Sequence, residues 1–546
     1  MTAELDLHRQ GVMVRALQAA LSAGDGPSAE MIETHISFVL LHGESAYKFK
    51  KALKNPFLDA STLALREHLC QEELRLNRRL APDLYRDVVP VCGTPDKPAF
   101  GGPGPIIDHA VRMVAFPQAG LWDRLAGEHA LGPGPIDELA ALLVRFHDAA
   151  APADAHGRLG SPPLVRAQMR ENLDELERLA AAGSDRTRVQ GLRQWEADLF
   201  PRLEALMAER LASGRVRECH GDLHLGNVAQ IDGRATLFDA IEFNDEFRWI
   251  DVISEVAFVV MDLHAHDLPE LAHRLINLWL QASGEYAGLP VLPYYLVHRA
   301  LVRAKVALMR AAQTDARKST APTTPAIASA TDAATDAATD PTAQARRYLA
   351  LADRFSRPQR PSLMLTHGFS GTGKTTLTQS LVEQAGALRI RADVERKRLA
   401  GLDETSRSGS ALHDGLYSAA MSAATYDRLF ALARAGLLAG WPVILDATFL
   451  SRSRRDQARA LARDCAVPCV ILHFDADLAT LRQRLIARAR RATDASEADE
   501  QVLEAQIREA DPLAPDEMAD VFGCLPTAGG TGPGIDWRPL MARMAR

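Results

Sequence analysis

Residues 362–385 read SLMLTHGFSGTGKTTLTQSLVEQA, an apolar stretch followed by a glycine-rich turn and a helical pattern. No other stretch of the chain restricts its fold so tightly. Gly368 to Thr375, GFSGTGKT, satisfies G-x-x-x-x-G-K-[ST], and glycines at those places allow a backbone path that neither a strand interior nor a helix interior tolerates. The segment is therefore a strand, a loop and the first turn of a helix. Backbone N–H groups of Gly368, Ser370, Gly371, Thr372 and Gly373, with Thr376 at the helix start, form a cradle for phosphate oxygens. Lys374 reaches the β and γ phosphates of a nucleotide, and Thr375 is placed to hold Mg²⁺.

The surrounding sequence agrees with that placement. SLMLTHG, LRIRAD, PVILDAT and CVILHFDA are short apolar runs alternating with helical segments near 374–385, 425–439, 451–464 and 477–491. Continuous apolar strands separated by helices predict an α/β unit whose parallel sheet is covered on both faces, with its ligand at the carboxyl ends of the strands. Asp393 follows the second of these runs and Asp446 the third. One accepts a proton from an acceptor hydroxyl while the other organises magnesium, unless either is simply a helix cap. Arg484, Arg488 and Arg491 share a helix face, which reads either as a lid over the phosphates or as a solvated basic face. Arg396, one turn after Asp393, holds an anionic acceptor or merely decorates its helix.

Upstream, the chain changes character. Residues 315–345 include the repeat TDAATDAATD with several prolines and almost no large apolar side chains, so this segment cannot offset its ordering entropy by burial. It divides the protein into residues 1–315, a linker at 316–345, and residues 346–546. At 546 residues the chain is long enough for more than one core. A net charge of −7 disfavours a general nucleic-acid coat, and the six cysteines include no CxxC pair. The amino terminus has acidic residues where a secretion signal needs a basic start, and no apolar run reaches membrane-spanning length. These features are those of a cytoplasmic protein without a membrane segment.

In residues 1–315, HISFVLL and SAYKFKKAL read as two strands joined by a short turn, and STLALREHLCQEELRLNRRL as an amphipathic helix. Long helices follow, for example at 167–182 and 293–312, so this part is α+β. CHGDLHLGN, residues 219–227, holds two histidines four apart. On a helix His220 and His224 would face one metal, but Gly221 and Gly226 oppose a helix there. The competing pattern is Asp222 and Asn227 at the Asp–Asn spacing of H-R-D-x-x-x-x-N, followed by a strand-like run ending at Asp239. An Asp at the acceptor hydroxyl, an Asn on one Mg²⁺ and a second Asp on the metal are the minimum set for phosphoryl transfer. Lys48 and Lys50 alternate on one strand face. Lys48 is the first choice for a phosphate contact because Ala46-x-Lys48 matches the end of V-A-I-K, and Lys50 is the second. Glu72 and Glu73 on the next helix are candidate partners, with Glu73 favoured. Asp251 and Glu255 are candidates for bracing the catalytic loop.

These residues resemble two known groups. Lys48, Glu73, HGDLHLGN and Asp239 look like the aminoglycoside phosphotransferase and choline kinase branch of the protein-kinase-like fold, over about 30–310. That resemblance implies Asp222 as catalytic base, Asn227 and Asp239 as magnesium ligands, and His220 as a scaffold residue. One departure is that ETHISF, residues 33–38, stands where a glycine-rich loop is expected. GFSGTGKTT, RADVERKRL, VILDATFL and the arginine-rich late helix look like the small P-loop kinases grouped with zeta toxins, gluconate kinases and polynucleotide 5′-kinases, over about 360–510. Their order resembles a bacterial family of bifunctional proteins. The expected architecture is a protein-kinase-like α+β domain followed by an α/β P-loop domain. The expected function is ATP- and Mg²⁺-dependent phosphotransfer to small hydroxylated molecules, with nucleic acid disfavoured as a partner. Two alternatives stand: one half binds ATP only to gate the other, or the P-loop half is a nucleic-acid end kinase.

Overall fold

The computed structural model describes residues 5–23, 27–55, 57–180, 183–320, 340–357, 360–404, 406, 416, 418–491, 496, 499–524 and 534–544; for 184, 313–320 and 488–491 it describes backbone alone. The chain forms two compact units, Met1–Leu268 with Val291–Ser356, and Pro269–Pro290 with Arg357–Arg546. The units therefore interleave along the chain. Most of the linker, 321–339, lies outside the described residues, and 341–345 begins a helix, Pro341–Ser356, that belongs to the first unit. Composition marks where a chain cannot pack, whereas the core that a flanking helix joins depends on which apolar face it meets.

The first unit is built on a six-stranded antiparallel sheet in the order Glu30–Glu33, Ser37–His42, Ser45–Lys50, Ile106–Val114, Tyr85–Thr94, Lys97–Phe100. In the central Ser45–Lys50 strand, Lys48 is paired with Val39 on one side and Val111 on the other. The period of two sends Lys48 and Lys50 to the same face. That face is covered by the helix Leu63–Asn77, whose Thr62 side chain accepts from Leu65 N and caps its start. Buried positions Arg66, Leu69, Cys70, Glu73, Leu76 and Asn77 form the stripe that turns to the sheet. Glu73 is carried under the lysines by that stripe. Where a glycine-rich loop was expected, the Thr34 hydroxyl accepts from Ser37 N at 2.9 Å, and Lys51 Nζ donates to Thr34 O at 2.5 Å and to Glu33 at 2.7 Å. The turn is held by side chains instead of glycine flexibility. The two long helices read from sequence run Pro162–Leu179 and Leu292–Thr320.

The second unit contains a fully parallel sheet in the order Leu388–Arg391, Val443–Asp446, Leu363–His367, Cys469–His473, Val521–Gly523. Its first four strands are the apolar runs of the sequence. The fifth is short and half-exposed, and carries too little apolar signal to be read alone. Helices cover both faces, and one core gathers Met364, Leu381, Ile444, Val470, Leu472 and Trp537. The sheet's first edge is finished by the helix Pro269–Ser283: Asn277 accepts from Arg389 N at 2.8 Å and donates to Ala387 O at 2.9 Å. A side-chain amide thus answers two backbone groups that a further strand would have answered.

Candidate active sites

In the first unit the chain from Cys219 to Asp239 brings the acidic groups to the lysine face. Gly221 has φ +88°, and a Cβ there would lie 2.7 Å from Phe247 O, so the position requires glycine. Glu255, fully buried, accepts from His220 N at 2.7 Å and from Gly221 N at 3.0 Å. Asp251 instead pairs bidentately with Arg210 at 2.7 and 2.8 Å and caps its helix through Ile253 N. Of the two acids, only Glu255 touches the loop backbone.

The histidines are fixed by what the backbone offers them. His220 Nδ1 accepts from Asp222 N at 3.3 Å, so its proton lies on Nε2, which donates to Phe238 O at 2.8 Å. His224 Nδ1 accepts from Gly226 N at 3.1 Å, leaving a protonated Nε2 at 3.5 Å from Asp222 Oδ2. Both rings serve the loop, and neither joins a metal-binding group among the described residues. The cluster that does come together is His147, Cys219 and Glu255, and there Glu255 is already engaged by two amides. Burial alone would favour the neutral form of Asp222, but His224, Arg303 and His220 outweigh it and hold the carboxyl well below the usual carboxylate range. Asp222 is ionised at neutral pH.

Asn227 Nδ2 donates to Asp222 O at 2.9 Å and reaches Asp222 Oδ2 at 3.3 Å. A backbone carbonyl can only accept, so this contact fixes the amide orientation and directs Asn227 Oδ1 away as an oxygen donor. Asp239 sits at φ +65°, held by its amide donating to Tyr85 Oη at 3.1 Å and by the next amide, Ala240 N, donating to Asn77 Oδ1 at 2.9 Å. Such a backbone persists only where neighbours over-determine it.

The structure brings Lys48, Glu73 and Asp239 together: Lys48 Nζ donates to Glu73 Oε1 at 2.9 Å and to Asp239 Oδ1. Burial opposes the Lys48 charge, yet Asp239 and Glu73 raise its affinity for the proton well above the ordinary value. Lys50 is placed differently, sealed between Glu73 and Glu242, the latter at 2.5 Å. Glu72 pairs with Arg75 at 2.8 Å instead of a lysine. Glu242, missed in the sequence, follows Asp239 by less than one turn, and its signal is only a second acid after the metal-type aspartate.

In the second unit the phosphate loop lies where the strand ends. Gly368, at φ +143°, would place a Cβ 2.4 Å from Phe474 O, and Gly373 adopts the left-handed conformation as the cap of the helix Lys374–Ala385. Lys374 Nζ donates to Gly368 O and Phe369 O at 2.9 and 2.8 Å. Thr375 Oγ1 donates to Asp446 Oδ2 at 2.7 Å, which joins the hydroxyl and carboxylate suited to magnesium. Asp393 is part of the first turn of the helix Ala392–Leu399 and is paired with Arg396 at 2.9 Å. Thr376 follows on the same helix as Lys374, and Thr372 Oγ1 donates to Phe369 O at 2.9 Å. Arg484 donates to Gly371 O at 3.2 Å. The side chains of Arg488 and Arg491 lie outside the described residues. Gln506, unsuspected from sequence, accepts from Ser370 N at 2.9 Å and donates to Ser370 Oγ at 3.0 Å.

Comparison with known proteins matches both units. A family model described as the phosphotransferase enzyme family (APH) matches residues 65–291, and one described as an AAA domain matches residues 363–513. Uncharacterized proteins of Mycobacterium tuberculosis and Mycobacterium bovis are 30% identical over 478 residues, covering 86% of this chain and 89% of theirs. Among solved structures, an amicoumacin kinase in complex with AMP-PNP and Ca²⁺ aligns with TM-score 0.38 and 14% identity over 64% of this chain and 94% of that one. A gluconokinase from Sinorhizobium meliloti aligns with TM-score 0.21 and 19% identity over 30% of this chain and 83% of that one. A kinase-like phosphotransferase domain precedes a P-loop nucleotide-binding domain. Among the described residues no helix is long and apolar enough to cross a membrane.

Proposed function

The chain belongs to the family of these mycobacterial proteins, and from that premise we propose an ATP- and Mg²⁺-dependent phosphotransferase with two nucleotide sites, each acting on hydroxyl groups of small molecules. The observation that carries the reading is the meeting of Lys48, Glu73 and Asp239, far apart in sequence, beside a loop that presents an ionised Asp222 and an oriented Asn227.

In the first unit, Lys48 neutralises charge on the phosphates and Glu73 sets its position. Asp222 accepts a hydrogen bond from the acceptor hydroxyl and orients its oxygen. The oxygen attacks the γ-phosphorus, the bond to the β–γ bridging oxygen breaks, ADP leaves with that electron pair, and the hydroxyl proton passes to Asp222. A carboxylate this acidic is a weak base, so its main contribution is positioning, with proton transfer late in the step. Asn227 Oδ1 and Asp239 form an all-oxygen donor set suited to magnesium, as do Thr375 and Asp446 in the second unit. When bound, the ion supplies charge neutralisation at the phosphates.

In the second unit, Lys374 serves the phosphates, Asp446 acts with Thr375 on magnesium, and Asp393 is the residue assigned to the acceptor hydroxyl, with Arg396 on its anionic side. The placement of Asp446 against Thr375 supports this division of the two acids. A cytoplasmic location accords with six free cysteines.

The test is an ADP-release screen of the intact protein against sugars, amino alcohols, nucleosides and aminoglycosides, repeated with Asp222→Asn and Lys374→Ala. Each substitution is expected to abolish transfer to a different acceptor. Full retention of every activity by Asp222→Asn would sink the first site. Loss of all transfer in Asp222→Asn, with transfer to that same acceptor reduced in Lys374→Ala, would make the second nucleotide site regulatory. Salt-sensitive oligonucleotide binding lost on replacing Arg484 and Arg488 would instead favour a nucleic-acid end kinase.

A further inference from the structure

We infer that Tyr348, from beyond the low-complexity linker, is a positioning residue for the catalytic loop, acting on Leu225 through Asp262. The inference rests on the reading of Asp222 and Asn227 given above.

Leu225 stands between Asp222 and Asn227, at the head of the single 3-10 turn Leu225–Asn227. Its N–H donates to Asp262 Oδ2 at 2.9 Å, and the other oxygen of that carboxylate accepts from Tyr348 Oη at 3.1 Å. Asn227 N in turn donates to His224 O at 2.9 Å, so the direction of the Leu225 peptide sets the direction from which the Asn227 side chain leaves. Asp262 and Tyr348 are both buried. Arg303 Nε donates to the same phenol oxygen at 3.4 Å, and its guanidinium lies 5.6 Å from the centroid of the Tyr348 ring.

The chemistry gives each group one role. Burial raises the Tyr348 hydroxyl above its ordinary value and, with Asp262, outweighs the opposing pull of Arg303, so the phenol remains a donor. Burial opposes ionisation of Asp262, but His266, Arg303 and His224 hold it ionised. An ionised carboxylate has no proton to give, and must receive from both Leu225 and Tyr348. The phenol therefore selects the carboxylate rotation that meets the loop amide. Tyr348 is carried there by the helix Pro341–Ser356, which is buried through Ala345, Tyr348, Leu349, Leu351 and Ala352. The phosphotransferase unit, on this reading, is incomplete until the chain beyond residue 340 has been made.

The test uses the full chain, with Tyr348→Phe, Asp262→Ala, the double variant, and Arg347→Ala, an exposed ion-pair residue on the same helix, as control. Hydrogen exchange of the catalytic-loop peptide is followed by mass spectrometry. Loss of one buried hydrogen bond corresponds to roughly five- to tenfold faster exchange at Leu225, expected for Tyr348→Phe and not for Arg347→Ala. In parallel, ADP release with water as acceptor is measured in a Lys374→Ala background. Tyr348→Phe is expected to lower kcat about tenfold while the KM for ATP changes less than twofold, and to have no further effect once Asp262 is alanine. Unchanged exchange in Tyr348→Phe overturns the inference, as does an equal loss in the presence and absence of Asp262. If Asp222→Asn leaves ADP release intact in that background, the catalytic reading fails by itself, and the exchange result still decides whether Tyr348 holds the loop.

Discussion

Lys48 and Lys50 occupy one strand face and share Glu73, yet their replacement by methionine should fail in opposite ways. The Lys50 side chain is 1% exposed, and its partners Glu73 and Glu242 are 0% and 3% exposed. Lys50→Met takes from buried Glu242 the cation it pairs with directly and leaves Glu73 with Lys48. Breaking a buried pair by removing one partner costs about 3–5 kcal/mol, and at about 2 °C per kcal/mol for a unit of this size the melting temperature should fall by about 6–10 °C. Lys48 is 11% exposed, and the Asp239 it pairs with is 42% exposed. In Lys48→Met, Glu73 keeps Lys50 and Asp239 turns to water, so stability should move by no more than about 1 kcal/mol. The charge lost is the one beside Asp239, and the rate of ADP release should fall by about 100-fold or more, the scale for removing a preorganised group from a transition state. Scanning calorimetry and acceptor-stimulated ADP release on both variants separate the two effects. A stable, inactive Lys50→Met with an unfolded or fully active Lys48→Met would refute the assignment.

Other outcomes follow from the same packing. Glu255→Ala abandons two buried loop amides and should destabilise the first unit by about 3–5 kcal/mol, whereas Glu255→Gln, keeping one acceptor, should lose about half of that; urea unfolding measures both. Asn277→Ala leaves Arg389 N and Ala387 O unanswered at the edge of the parallel sheet and should cost about 2–3 kcal/mol, read in the melting of the second unit. Asp446→Asn preserves an acceptor for Thr375 but removes the negative charge, so the magnesium concentration for half-maximal Lys374-dependent ADP release should rise about tenfold; an unchanged value would remove Asp446 from the metal site. Burial, aided by Arg217 at His147 and by Arg299 at His298, depresses both histidines from 6.5 to about 3, and burial with His473 takes His367 to about 4. The unfolded chain takes up these protons below about pH 6.5 while the folded chain excludes them. Stability should therefore be full above pH 6.5 and decline as pH falls toward 3. Equal urea midpoints at pH 7.5 and 5.0 would contradict it.

Contiguous features were legible in the chain itself. Gly368–Thr375 and Gly221–Asn227 are compact loops whose hydrogen bonds close within a few residues, as in Asn227 to Asp222 and Lys374 to Gly368. Backbone sterics and local donor–acceptor matching therefore set their shapes before any tertiary contact is considered. Strand and helix periods were equally local, and carried four of the five parallel strands. Motif spacing ranked Lys48 ahead of Lys50, but the partners that separate them were not legible, because both face the same way and their difference lies in Glu242 against Asp239, each about 190 residues distant. Gln506 on the phosphate loop, Asn277 at the sheet edge and Tyr348 behind the Gly221–Asn227 loop are ordinary polar residues on amphipathic helices, with nothing in their own neighbourhoods to single them out. Sequence alone determined the two domain types and the elements that carry their motifs, since those follow from short-range geometry. Only the tertiary structure decided which core each flanking helix joins and which buried charge meets which partner, since burial makes an unpaired charge or amide costly and its remedy can come from anywhere in the chain.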